Sequence, residues 1–214
     1  MTQIAVAVRR DGRSVAERYV RLAIVLVCGA AAVIGYMTVA LWRWVDPVID
    51  PVSDYVFHGR GEPLFVLAVL LMIFGGLALT AAMAGVGMPR SRSSKVLLGL
   101  WGAGLLICAV FPGNRIASDP TVSGEIHRFG GALFFTCFPL AGWQLARSLR
   151  NHPQWRLAAT RVRRFTTATV AAAAAFGAAQ LAPWLPLGLL ERFALGTEFA
   201  LLIVLAQIVR QAAR

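Results

Sequence analysis

Pro63-Leu-Phe-Val-Leu-Ala-Val-Leu-Leu-Met-Ile-Phe-Gly-Gly-Leu-Ala-Leu-Thr-Ala-Ala-Met-Ala-Gly85 runs without a charged side chain. A helix of about 20 apolar residues crosses a hydrocarbon core, so this stretch predicts a membrane span. Segments 20–42, 96–112, 128–149, 165–187 and 189–209 meet the same test or come close to it. The expected fold is all-α: a polytopic integral membrane bundle of six transmembrane helices. The third span is short, ending at Phe111-Pro112, and the fifth is weak because Ala171 to Ala175 add little hydrophobicity. An alanine-rich helix is better buried among its neighbours, since small residues let backbones approach closely. Gly75, Gly76, Gly99 and Ala103 suit the same close packing.

Composition agrees. The 214 residues are 58% hydrophobic and only 14% charged, with a mean hydropathy of +0.67, whereas soluble domains carry about 25% charged residues. The first span is too long for a cleavable signal and ends in Leu41-Trp-Arg-Trp44 rather than a small-residue cleavage site, so it reads as an anchor that stays. Cys28, Cys108 and Cys137 each lie in an apolar run with no CxxC pair, and read as small buried side chains. No repeat or long linker divides the chain. Residues 1–19 form a basic N-terminus, 20–209 the transmembrane domain and 210–214 a tail.

A net charge of +11 raises the question of nucleic acid, whose binders carry basic patches. Here the basic residues fall between apolar spans, and cytoplasmic loops collect Lys and Arg. The expected partner is therefore the lipid bilayer, with no nucleic acid. Arg9, Arg10, Arg13, Arg18 and Arg21 precede or open the first span, and Arg90, Arg92 and Lys95 follow the second. Arg147, Arg150, Arg156, Arg161, Arg163 and Arg164 follow the fourth, and Arg210 and Arg214 close the chain. This distribution predicts a multi-pass cell-membrane protein with both termini cytoplasmic and Ile116 outside. The acids do the reverse. Asp46, Asp50, Asp54, Glu62, Asp119, Glu125 and Glu191 belong to the outer connections, and only Asp11 and Glu17 are cytoplasmic.

Three stretches carry candidate chemistry. In Asp46-Pro-Val-Ile-Asp-Pro-Val-Ser-Asp-Tyr-Val-Phe-His58, residues four apart would share a helical face, giving a stripe of Asp46, Asp50, Asp54 and His58. Pro51 opposes a straight helix, so a kinked outer segment is expected, with Asp46 and Asp50 as polar scaffolding and Asp54 reaching a reaction chamber. In the second stretch, Phe111-Pro-Gly-Asn114 is followed by Gly124-Glu-Ile-His-Arg128, where Glu125 suits a helix N-terminus. His127 there opens a helix rich in aromatic residues. The third is Glu191-Arg-Phe-Ala-Leu-Gly-Thr-Glu198, whose glutamates lie about two turns apart on one side of a helix. Glu198 sits in an otherwise apolar span, and an ionisable group there is a functional hypothesis by default.

PVSDY, FPGN and GEIH together resemble the bacterial six-helix membrane family catalogued as domain of unknown function 998, over about Ala23 to Val209. That family's pattern favours an acid where Asn114 stands.

Size and architecture also look like the small polytopic terpene cyclases of bacterial natural-product pathways. That likeness implies a membrane enzyme which protonates a prenylated, isoprenoid substrate and cyclises the carbocation, with neither cofactor nor metal. Glu198, Asp54 and His127 would be its catalytic groups. Trp42, Trp44, Tyr55, Trp101, Phe134, Phe138 and Trp184 would bind substrate, because aromatic faces attract cations. Two alternatives use other features: a non-catalytic membrane partner or transporter subunit whose outer acids bind a cation or protein, and a metal-dependent hydrolase using His58, His127 and two carboxylates. A bis-histidine haem protein would need facing imidazoles in the bundle core, which these positions oppose.

Overall fold

The computed structural model describes residues 2–115 and 119–214, with side chains from Ser14 onward. Ile116, and the side chains of Arg9, Arg10, Asp11 and Arg13, lie outside the described residues. Six long helices follow in order: α1 (Thr2–Ala40), α2 (Gly61–Gly85), α3 (Arg92–Val110), α4 (Val122–Arg150), α5 (Arg156–Ala179) and α6 (Leu187–Ala213). Two 3-10 turns, η1 (Val52–Phe57) and η2 (Pro153–Trp155), sit in the connections. Ser91 caps α3 by accepting from the Ser94 amide at 3.1 Å, and Thr121 caps α4 by accepting from Gly124 at 3.0 Å.

Among the described residues five helices, not the expected six, are long and apolar enough to cross a membrane: Ser14–Ala40 of α1, then α2, α3, α4 and α6. The exception is α5, which opens at Arg156 rather than at residue 165 and stops at Ala179. Its first half carries Arg156, Arg161, Arg163 and Arg164. Beyond its end, Pro183 and Pro186 remove amide donors and disfavour helical geometry at the residues before them. The apolar run across 180–189 is therefore divided between a connection and the start of α6.

Small residues set the packing, as expected for helices in lipid. A methyl group on Gly75 of α2 would sit 2.9 Å from Val27 of α1, and one on Gly104 of α3 would sit 2.6 Å from the Gly130 carbonyl oxygen of α4. One on Gly142 of α4 would meet Thr166 of α5 at 2.5 Å and Leu201 of α6 at 3.2 Å. The helix α5 runs antiparallel to α6: Arg161 donates to Gln207 at 3.1 Å, and the Thr169 hydroxyl donates to the Thr197 carbonyl at 3.3 Å. The same end of the bundle brings Glu17 of α1 within electrostatic reach of Arg210 and Arg214. The opposite end gathers η1, residues 111–115 and the starts of α4 and α6, and with them most of the acids.

Candidate functional site

At the acidic end, the four-residue stripe of aspartates does not form. The Asp46 carboxylate accepts from the Val48 amide at 2.8 Å and the Asp50 carboxylate from the Asp46 amide at 2.7 Å, which closes a tight turn. Pro51 then leads into η1, and a 3-10 turn repeats every three residues rather than four. His58 is turned elsewhere, stacked on Trp44 with ring centroids 5.8 Å apart.

The start of α6 fastens η1. Glu191 accepts the Val52 amide at 2.6 Å. Arg192 donates to the Asp50 carbonyl at 2.8 Å and to the Tyr55 hydroxyl at 2.8 Å, with its guanidinium over the Tyr55 ring. Tyr55 is fully buried among Met37, Val45 and Val52. Asp54 sits beside this clamp. Burial, reinforced by the negative charge of Asp50 and opposed by Arg192, pushes its carboxyl from an ordinary 3.8 up to about 6.

The three motifs that carried the family resemblance meet beside η1. His127, in the first turns of α4, holds its Nδ1 2.8 Å from the Phe111 carbonyl. The Asn114 side chain accepts from both the amide and the hydroxyl of Thr121 at 2.9 Å and packs against Gly124. A methyl group on Gly113 would stand 3.6 Å from the His127 ring and 3.9 Å from Ser53 Oγ of η1. Asn114 thus serves as a hydrogen-bond acceptor.

A second polar group lies in the bundle interior. Glu198 is fully buried, and its Oε2 accepts the Trp101 indole N–H at 3.2 Å. Among the described residues its Oε1 has no hydrogen-bond partner, nor has the buried Thr166 hydroxyl. Trp101 packs on Phe138 at 5.0 Å and Phe134 at 6.3 Å between ring centroids. Gly76 of α2 admits the indole, because a methyl group there would stand 2.5 Å from its ring.

The expected site residues therefore divide. Glu198, Trp101, Phe134 and Phe138 come together in the interior, whereas Asp54 and Tyr55 join the clamp and His127 the neighbouring connection. No hydrogen bond or ring contact joins Glu198 to Asp54 or His127 among the described residues. Trp42, Trp44 and Trp184 are 60%, 68% and 83% exposed and do not line the interior. They flank helix ends, where indoles anchor to a membrane interface. Sequence reasoning passed over Arg192, although a guanidinium beside Glu191 at the start of an apolar helix was a usable signal. It also passed over Thr166.

The family described as "Protein of unknown function (DUF998)" matches residues 25–208, and the chain belongs to it. No curated protein and no solved structure matches the chain. The chain is thus a multi-pass, membrane-type helical member of that family.

Proposed function

We propose that this chain is an integral membrane enzyme that protonates an isoprenoid, lipid-like substrate and lets the carbocation cyclise, as a terpene cyclase does. One observation carries the reading: among the described residues Glu198 Oε1 has no partner, while its Oε2 is held by Trp101, whose ring packs on Phe134 and Phe138. Trp101 occupies Oε2, leaving Oε1 to deliver a proton to an alkene carbon. The next alkene's π pair closes on the cation, whose charge the aromatic faces stabilise. Loss of a proton back to the Glu198 carboxylate completes an isomerisation with no net change in atoms. Asp54 and His127 then serve the polar rim rather than the proton transfer.

In this reading both termini are cytoplasmic, and α5 is carried across the bilayer between α4 and α6 by packing that its own composition would not support. The arginines gathered at one end of the helices favour that orientation. A second reading, a non-catalytic membrane partner, draws on the close fit of Gly76 against Trp101, which would make Glu198 a bolt between α3 and α6.

Membranes containing the protein, given a geranylgeranylated aromatic probe in D₂O with excess EDTA, should form a cyclic isomer carrying one deuterium. Glu198→Gln should slow this by about 10²–10⁴, the range for a positioned acid. Wild-type membranes that leave the probe unchanged, or turnover that requires Mg²⁺, would overturn the proposal.

A further inference from the structure

We propose that the corner joining α4 to α5 is a docking surface for an anionic phospholipid, whose phosphate is held by the outward arginines of the two helices. The surface does not depend on the role given to Glu198.

Charge is left unanswered at this corner. Arg147 and Arg150 close α4, Arg156, Arg163 and Arg164 lie in the first turns of α5, and all five are exposed. Among the described residues, no hydrogen bond, ion pair or ring contact engages their guanidinium groups. The acid described at this end of the bundle is Glu17, which is held by Arg21 and lies within electrostatic reach of Arg210 and Arg214. For Arg147 and Arg150, the negative end of the α4 dipole offers partial compensation. The start of α5 offers none, because cations there oppose the dipole and its first turn carries no acid. An anion from outside the chain would answer these charges.

The neighbours of these arginines say which anion. Residues 156, 160, 163 and 167 recur at intervals of three and four, so they share one face of α5. The Thr160 and Thr167 hydroxyls bond back to the carbonyls of Arg156 and Arg163, at 3.4 and 3.0 Å. That leaves the guanidinium groups as the free donors of the face, and their planar forks suit phosphate oxygens. Apolar side chains stand deeper on the same lines. Val170 is exposed two turns beyond Arg163, and Trp143 is exposed one turn before Arg147. On both helices the cation thus lies toward the end and the apolar group toward the middle, the order of a phosphate and its acyl chains. A nucleic acid lacks the apolar half, and a second copy of the chain would bring the same arginines face to face. The corner also lies at the right level: α4 and α6 are apolar spans, and Arg161 ties α5 to Gln207 near the end of α6.

The full-length protein in detergent is titrated with phosphatidylglycerol or phosphatidylcholine, and bound lipids are counted by native mass spectrometry. The first phosphatidylglycerol should bind more tightly than phosphatidylcholine. An arginine near an anionic surface contributes about fivefold, so Arg163→Gln with Arg164→Gln should weaken that binding by about 30-fold. Both side chains are exposed, so the unfolding temperature should not change. Arg60→Gln with Arg115→Gln removes the same charge from exposed positions at the acidic end and should leave the binding as it is. Free glycerol phosphate, which has the headgroup's charge without the chains, should not displace the lipid. The proposal is overturned by equal binding of the two lipids, by equal losses in the two double variants, or by displacement with glycerol phosphate. It is overturned also by a wild-type dimer that the Arg163 and Arg164 substitutions convert to monomer, which would make the face a contact between copies.

Discussion

Glu191 and Glu198 stand two turns apart on one helix, yet their surroundings differ completely. Glu191 meets the rim, where it holds the Val52 amide of a segment 139 positions away, next to Arg192. Glu198 meets the interior, where one indole N–H satisfies one oxygen and, among the described residues, nothing satisfies the other. Leu195 and Phe65 pack against the apolar clusters on both sides and separate the two regions. The same side chain thus becomes a fastening where a backbone donor is at hand, and a half-satisfied carboxyl where a single indole N–H reaches it. An ionisable residue in a span takes its role from what the other helices bring to it.

The harshest way to break this contrast is Trp101→Ala, which removes the indole from Gly76, Phe138 and Glu198 together. It should cost about 3–5 kcal/mol, the range for emptying a large aromatic site, read from unfolding in detergent. Trp101→Phe keeps most of the ring and loses the donor, so its cost should be smaller, about 1–3 kcal/mol. Equal costs would show that packing around the indole contributes little.

Glu191→Ala probes the rim. It strands the Val52 amide and should also cost about 1–3 kcal/mol. Its signature is local, with faster hydrogen exchange across residues 46–58, whereas Glu198→Gln should leave that segment unchanged. Acceleration of that segment by both substitutions would mean the two regions are not separate.

The smallest effect belongs to Asp54. Its folded carboxyl binds a proton more tightly than the unfolded one, so stability should fall as pH rises from about 4 through about 6, and level off above. Asp54→Asn should flatten that fall, giving a gain at pH 7 and almost none at pH 4. A variant whose stability keeps the wild-type pH profile would remove Asp54 from the rim's electrostatics.

Local features of the sequence were legible where local physics decides. The uncharged stretch 63–85 became α2, Gly61–Gly85, because nothing within it competes with helix formation. Glu198 stood out because a carboxyl in an apolar run is conspicuous. The limits of α5 were obscured by apolar residues that continue through Pro183 and Pro186, so hydrophobicity outvoted backbone geometry. Tryptophans could not be sorted by type: Trp101 is buried while Trp42, Trp44 and Trp184 face outward. Their orientation depends on which helix lies alongside. The Trp101–Glu198 bond joins residues 97 positions apart, a pairing that follows from tertiary packing.

Gly75 and Gly76 are adjacent, and neighbours on an α-helix point about 100° apart. One lets α2 press against Val27 of α1, the other against the Trp101 ring of α3. The two contacts share one stiff rod, so α2 works as an axle with a tooth on each side. A turn that eases the fit against α1 must move the seat of the indole, and with it the donor that fixes Glu198. The fit of α2 against the first helix and the setting of the buried Glu198 carboxyl are therefore joined through two missing side chains.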